Sequence, residues 1–92
     1  MFVLVSYDIP DDRRRARLAK VLQDYGERVQ YSVFECNLNQ VQLKRLLREI
    51  GNVIEEKMDS VRVYRLCPAC VGQIVALGQA SPPAAEVSVY IV

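Results

Sequence analysis

The chain has 92 residues, enough for one small domain and too few for a generous core. A formal net charge of +1 excludes a polycation, so any nucleic-acid footprint must be a local patch. At 51% hydrophobic and 25% charged residues, the chain is apolar for its size, and part of that surface is expected to be hidden against a partner.

Residues 2–8 predict a first strand. Val3, Leu4 and Val5 are aliphatic, no charge precedes Asp8, and the run reads as buried on both faces. Pro10 stops it, and Asp11 and Asp12 offer caps for a helix over 12–25. Leu18, Val21, Leu22 and Tyr25 recur at helical spacing, with Arg13 and Arg17 pointing away and Arg15 at the edge. Gly26 is placed for a left-handed cap. Residues 27–38 are strand-like, but the alternation slips at Ser32. Two short strands, or one strand bulged there, are expected.

Asn39 with Gln42 makes a capping box for a second helix, whose stripe is Leu43, Leu46, Leu47, Ile50 and Ile54. Lys44, Arg45 and Arg48 lie outside that stripe and are ordinary exposed charges. Residues 60–66 predict the next strand. The order βαββαβ is the ferredoxin-like α+β pattern, with both helices on one face of the sheet. Residues 73–77 could form a short strand, 78–85 a linker, and Val87–Val92 an extra C-terminal strand. One domain is therefore expected over 1–92, with a core at 1–66 and a dimerisation extension at 67–92. The apolar first strand suggests a two-fold homodimer packed sheet against sheet, the last strand adding to the partner's sheet edge.

Asp11 and Asp12 suffice to start the first helix, which leaves Asp8 surplus to that task. A single carboxylate is a poor magnesium site, but a two-fold axis nearby would pair two copies of it. Arginines at a helix start oppose the helix dipole. Arg13, Arg14, Arg15 and Arg17 therefore read better as a phosphate-binding cluster, since guanidinium grips phosphate bidentately. Cys67-Pro68-Ala69-Cys70 lacks a second ligand pair, and the chain has no histidine, so a closed zinc site within one chain is not expected. A thioredoxin-like site would open a helix, whereas this pair is expected to end a strand. Cys36 reads as a small packing residue. With Met1 entering the first strand directly and no long apolar run, a reduced cytoplasmic protein without signal peptide or membrane contact is expected.

At Tyr7-Asp8-Ile9-Pro10-Asp11-Asp12, Arg15-x-Arg17, Tyr25-Gly26-x-Arg28-Val29-Gln30 and Ser32-Val33-Phe34-Glu35, the sequence resembles the CRISPR-associated Cas-two endonuclease family. The resemblance covers about residues 1–66. It implies a ferredoxin-like homodimer that holds Mg2+ or Mn2+ between two copies of Asp8, with Tyr7 beside the metal ligand. It implies an endonuclease on single-stranded RNA or double-stranded DNA, and a partnership with the integrase of CRISPR adaptation during spacer acquisition. By motif position Asp8, Tyr7 and Arg17 are the catalytic candidates. The resemblance makes Arg15, Arg17 and Arg28 phosphate-contact candidates, joined by Arg13 of the helix-start cluster, and implies that Ser32 and Phe34 line the cleft. Arg14 departs from the apolar residue that the helix stripe favours.

Two readings follow from different classes. In one, the protein hydrolyses phosphodiesters, with Arg15 or Arg17 offsetting developing charge. In the other, it is a non-catalytic nucleic-acid scaffold for the integrase. An RNA-cleaving toxin of similar fold is a third reading, which these motifs support less well.

Overall fold

The computed structural model describes residues 1–83. Strand β1 spans Phe2–Asp8, helix α1 Asp12–Gln23, strand β2 Gly26–Gln30 and strand β3 Val33–Asn37. Helix α2 spans Gln40–Val53, strand β4 Ser60–Leu66 and a short helix α3 Pro68–Val71. The strands form one antiparallel sheet in the order β2-β3-β1-β4. That order, with α1 and α2 packed on one face, is the ferredoxin-like arrangement expected from the sequence.

Strand β1 is central, and its residues alternate. Val3, Val5 and Tyr7 are buried against the helices; on the other face Phe2 is buried, Leu4 and Ser6 are half-buried, and Asp8 is exposed. Within one chain β1 is thus buried along its whole length on one face, and on the other only at Phe2, because the helices cover one side of the sheet. On the other side Ile74, Ala76 and Pro82 border an open cleft of about 420 Å³ with Leu4, Val33 and Glu35. Residues 73–77 do not pair as a strand; the chain turns through α3 and then runs irregularly across this face. The expected strand Val87–Val92 lies outside the described residues. Among those residues, no helix is long and apolar enough to cross a membrane.

Asp11 caps α1 by accepting from the Arg14 amide at 2.9 Å. The helix ends at Gln23, and Asp24 follows in right-handed geometry. Gly26 is therefore not a left-handed cap; it opens β2, and the positive-φ glycine of the described residues is Gly78. What requires glycine at 26 is the close approach of β3: a Cβ would lie 2.1 Å from the Glu35 carbonyl oxygen and 2.6 Å from Cys36 Sγ. Gly26→Ala must push the edge strand off its neighbour. It should lower stability by on the order of 2 kcal/mol in urea unfolding. An unchanged midpoint would mean that the edge relaxes freely.

Asn39 and Gln42 form the expected capping box of α2, at 2.8 and 2.9 Å. Leu43, Leu46 and Ile50 enter the core, whereas Leu47, expected in the stripe, is 47% exposed. It sits at the margin of the apolar arc, beyond the reach of the sheet. Cys36 packs in the core as expected, and burial pushes its thiol up to about 11.

Candidate functional site

Asp8 ends β1 on the face away from the helices, opposite Ser60 of β4. Its carboxylate is exposed and accepts no hydrogen bond among the described residues. Those residues contain no cluster of three histidine, cysteine or carboxylate side chains that could hold a metal. At this end of the sheet, Asp8 is therefore the exposed carboxylate that is free to meet a cation. That donor chemistry suits Mg2+, which keeps most of its waters, but only as part of a larger site.

Tyr7 is adjacent in sequence and opposite in direction, because successive strand residues face opposite sides. Its ring is buried, stacked on Phe34 at 6.4 Å between centroids, and its hydroxyl donates to the Tyr31 carbonyl at 3.4 Å. Tyr7 therefore does not share a face with Asp8. Phe34, expected to line a cleft, is wholly buried, since β3 turns it toward the helices. Ser32 is half-buried in the turn between β2 and β3, and its carbonyl accepts from the Tyr7 amide at 3.1 Å. This bond ties the hairpin turn to the end of β1 that carries Asp8.

The irregularity expected at Ser32 lies slightly earlier. β2 and β3 are a hairpin turning at Tyr31 and Ser32, and the register slips between Arg28 and Gln30. Val29 is the extra residue and is 45% exposed. Arg28 pairs with Phe34, so its side chain follows the helix face, and its guanidinium lies 5.4 Å from the Phe34 ring centroid. There it borders, with Arg15, Tyr7, Asp12 and Tyr31, a cavity of about 210 Å³. Tyr31 is 72% exposed at its rim. It was legible only as a strand aromatic, because the hairpin turn that projects it falls inside a continuous strand-like run.

The four arginines of α1 separate into two pairs. Arg13 and Arg17 are exposed, and neither has an ion-pair partner among the described residues. Arg15 donates to the Ile9 carbonyl at 2.8 Å and to Asp12, and the Asp12 hydrogen bond raises its pKa further. Arg15 is thus engaged in joining the helix start to the end of β1. Arg14 spans to Asp59 with two hydrogen bonds, 2.8 and 3.0 Å. The Asp59 side chain is fully buried and also accepts from the Glu55 amide at 2.8 Å. The residue that broke the apolar stripe is therefore an anchor for the loop before β4. Asp59 had no signal in the sequence, being one acid in an acidic loop.

On the open face Glu27 pairs directly with Glu35. Burial, and then Glu27, push the Glu35 carboxyl above the usual carboxylate range. That part of the face repels phosphate. The exposed Arg13 and Arg17 stand instead on the start of α1, at the end of the sheet that also carries Asp8 and the hairpin turn.

A four-stranded ferredoxin-like sheet with an exposed, unpaired Asp8 and an arginine-rich helix start at one end defines the class of this protein. The family model for CRISPR associated protein Cas2 matches residues 1–74, and the chain belongs to that family. It is 43% identical over 93 residues to a protein of Chloroflexus aurantiacus named CRISPR-associated endoribonuclease Cas2 1, covering 100% of each. Among solved structures, Streptococcus pyogenes Cas2 superposes with a TM-score of 0.76 at 36% identity, over 85% of this chain and 100% of that one. A chain of a partial Cas6-RT-Cas1–Cas2 complex superposes with a TM-score of 0.65 at 28% identity, over 91% and 97%.

Proposed function

We propose that this protein is a metal-dependent endonuclease of CRISPR adaptation. It would act as a homodimer on the phosphodiester backbone of single-stranded RNA or double-stranded DNA and take part in spacer acquisition. The observation that carries the reading is the exposed, unpaired Asp8 at the same end of the sheet as the α1 arginines and the hairpin turn. The relative named an endoribonuclease supports it. Asp8 from each of two copies would hold Mg2+ or Mn2+. When bound, the ion would neutralise phosphate charge and acidify a water. The chain's own contribution is positioning: Arg13, Arg17 and Arg28 bind the backbone, and Arg15 with Asp12 keeps the helix start against the end of β1. Cleavage of RNA and DNA oligonucleotides is expected with Mg2+ and absent in excess chelator. Cleavage undiminished by chelator would overturn the metal-dependent reading.

The scaffold reading uses the same dimer and arginines but leaves the chemistry to the integrase. It is favoured by the structural relative that belongs to a complex with Cas1. In both readings binding is electrostatic and tolerant of sequence, since phosphate contacts carry no base information. Three arginines per chain make about six contacts in a dimer, so affinity should fall by about 10³ between 50 and 200 mM salt. Arg17→Ala should flatten the logarithmic salt slope by about one per chain. A salt-independent affinity in filter binding would count against the arginine surface.

A further inference from the structure

Cys67 and Cys70 have no part in the reaction above. Their sulfurs lie 3.4 Å apart, and both side chains are exposed. β4 ends at Leu66, and Cys67 immediately precedes the turn Pro68–Val71, which brings Cys70 back beside it. The pair thus opens a helical turn after a strand, contrary to the expectation that it ends one. The turn is held by the Val71 amide donating to the Cys67 carbonyl at 3.0 Å and the Gly72 amide to the Pro68 carbonyl at 3.1 Å. Val71, 2% exposed, anchors it. A disulfide bond is about 2.05 Å long, so a 3.4 Å separation leaves the sulfurs about 1.4 Å from bonding distance.

We propose that Cys67 and Cys70 form a reversible dithiol–disulfide site whose substrate is a low-molecular-weight disulfide. The Cys67 thiolate attacks one sulfur of that disulfide, its S–S bond breaks, and one thiolate leaves. Cys70 then loses its proton and attacks Cys67 Sγ, breaking the mixed disulfide and expelling the second thiolate. Two cysteine thiols are oxidised by two electrons. The small disulfide is reduced to two thiols, which take up the two protons. The order of attack agrees with the local electrostatics. Hydrogen bonds from the Cys70 backbone and thiol hold Cys67 below the ordinary thiol range, while Cys67 pushes Cys70 above it. The new bond staples the corner at which the chain leaves β4 to run across the open face of the sheet. Buried Cys36 takes no part.

The test treats the full chain with oxidised glutathione in the absence of thiol, quenches in acid, alkylates, and maps peptides by mass. The expected product has lost two hydrogens in the peptide holding both cysteines. Alkylation at Cys67 and Cys70 is completely lost, and dithiothreitol restores it. Cys70→Ser should stop at a glutathione adduct on Cys67. A glutathione adduct that persists on the unsubstituted chain, a disulfide between chains, or unchanged alkylation would each overturn the proposal.

Discussion

Asp8→Asn is expected to lower metal-dependent cleavage by on the order of 10³-fold, while leaving the fold and nucleic-acid affinity in place. The substitution keeps the shape and removes the charge. Asp8 is exposed, at the last position of its strand, and accepts no hydrogen bond among the described residues, so nothing in the packing depends on its carboxylate. The arginines lie on α1 and β2 and do not pair with it. Cleavage should therefore separate from binding: rate falls, the salt-dependent affinity stays, and sedimentation matches the unsubstituted protein. This makes asparagine a sharper probe than alanine, whose effect could be assigned to shape. Full cleavage by Asp8→Asn would remove the carboxylate from the chemistry and make the scaffold the better account. Running spacer acquisition beside the nuclease assay with this variant distinguishes the two: acquisition without cleavage is the scaffold's signature.

Arg14→Ala should lower Tm by on the order of 15 °C at neutral pH, a loss far beyond that of an exposed ion pair. The Asp59 side chain is fully buried, and Arg14, a quarter exposed, covers it with two hydrogen bonds. Removing the guanidinium leaves a buried carboxylate with the Glu55 amide alone. The Arg14 hydrogen bond, with help from the Glu55 amide, holds the Asp59 carboxyl below the usual carboxylate range. The unfolded chain therefore takes up this proton more readily than the folded one. The pair's contribution is fully present above the unfolded pKa of about 3.9, and is lost as pH falls through the lower folded value. Acid titration of stability should thus show a limb starting near pH 4 that Asp59→Asn flattens. Arg14→Lys should recover only part of the Tm, because an ammonium cannot reproduce the two-pronged contact. A Tm for Arg14→Ala within a degree of the unsubstituted protein would show that the loop before β4 does not depend on the pair.

Much of the architecture was legible because it is written in local patterns. The spans 2–8 and 60–66 coincide with β1 and β4, the Asn39–Gln42 capping box forms, and the βαββαβ order closes into the expected sheet. These follow from strand propensity, helical periodicity and capping, each a property of a few neighbouring residues. Asp8 and the exposed Arg13 and Arg17 could be singled out for the same reason: a charge out of place in an apolar or dipole-opposed position is visible in one dimension.

What the tertiary structure alone decided concerns groups brought together across the chain. The motif match places Phe34 in a cleft and Tyr7 beside the metal ligand, but strand alternation and register turn both rings toward the helices. Arg14 and Asp59 are 45 residues apart, and Gly26 is a glycine because β3 passes 2.1 Å from where a Cβ would stand. Arg28 reaches the Arg15 cavity only because the slip before Gln30 sets it opposite Phe34. Local sequence specifies which element a residue joins. Which partner waits there depends on how the sheet pairs and the helices dock, and that is set by cooperative packing of the whole core rather than by any stretch of the chain.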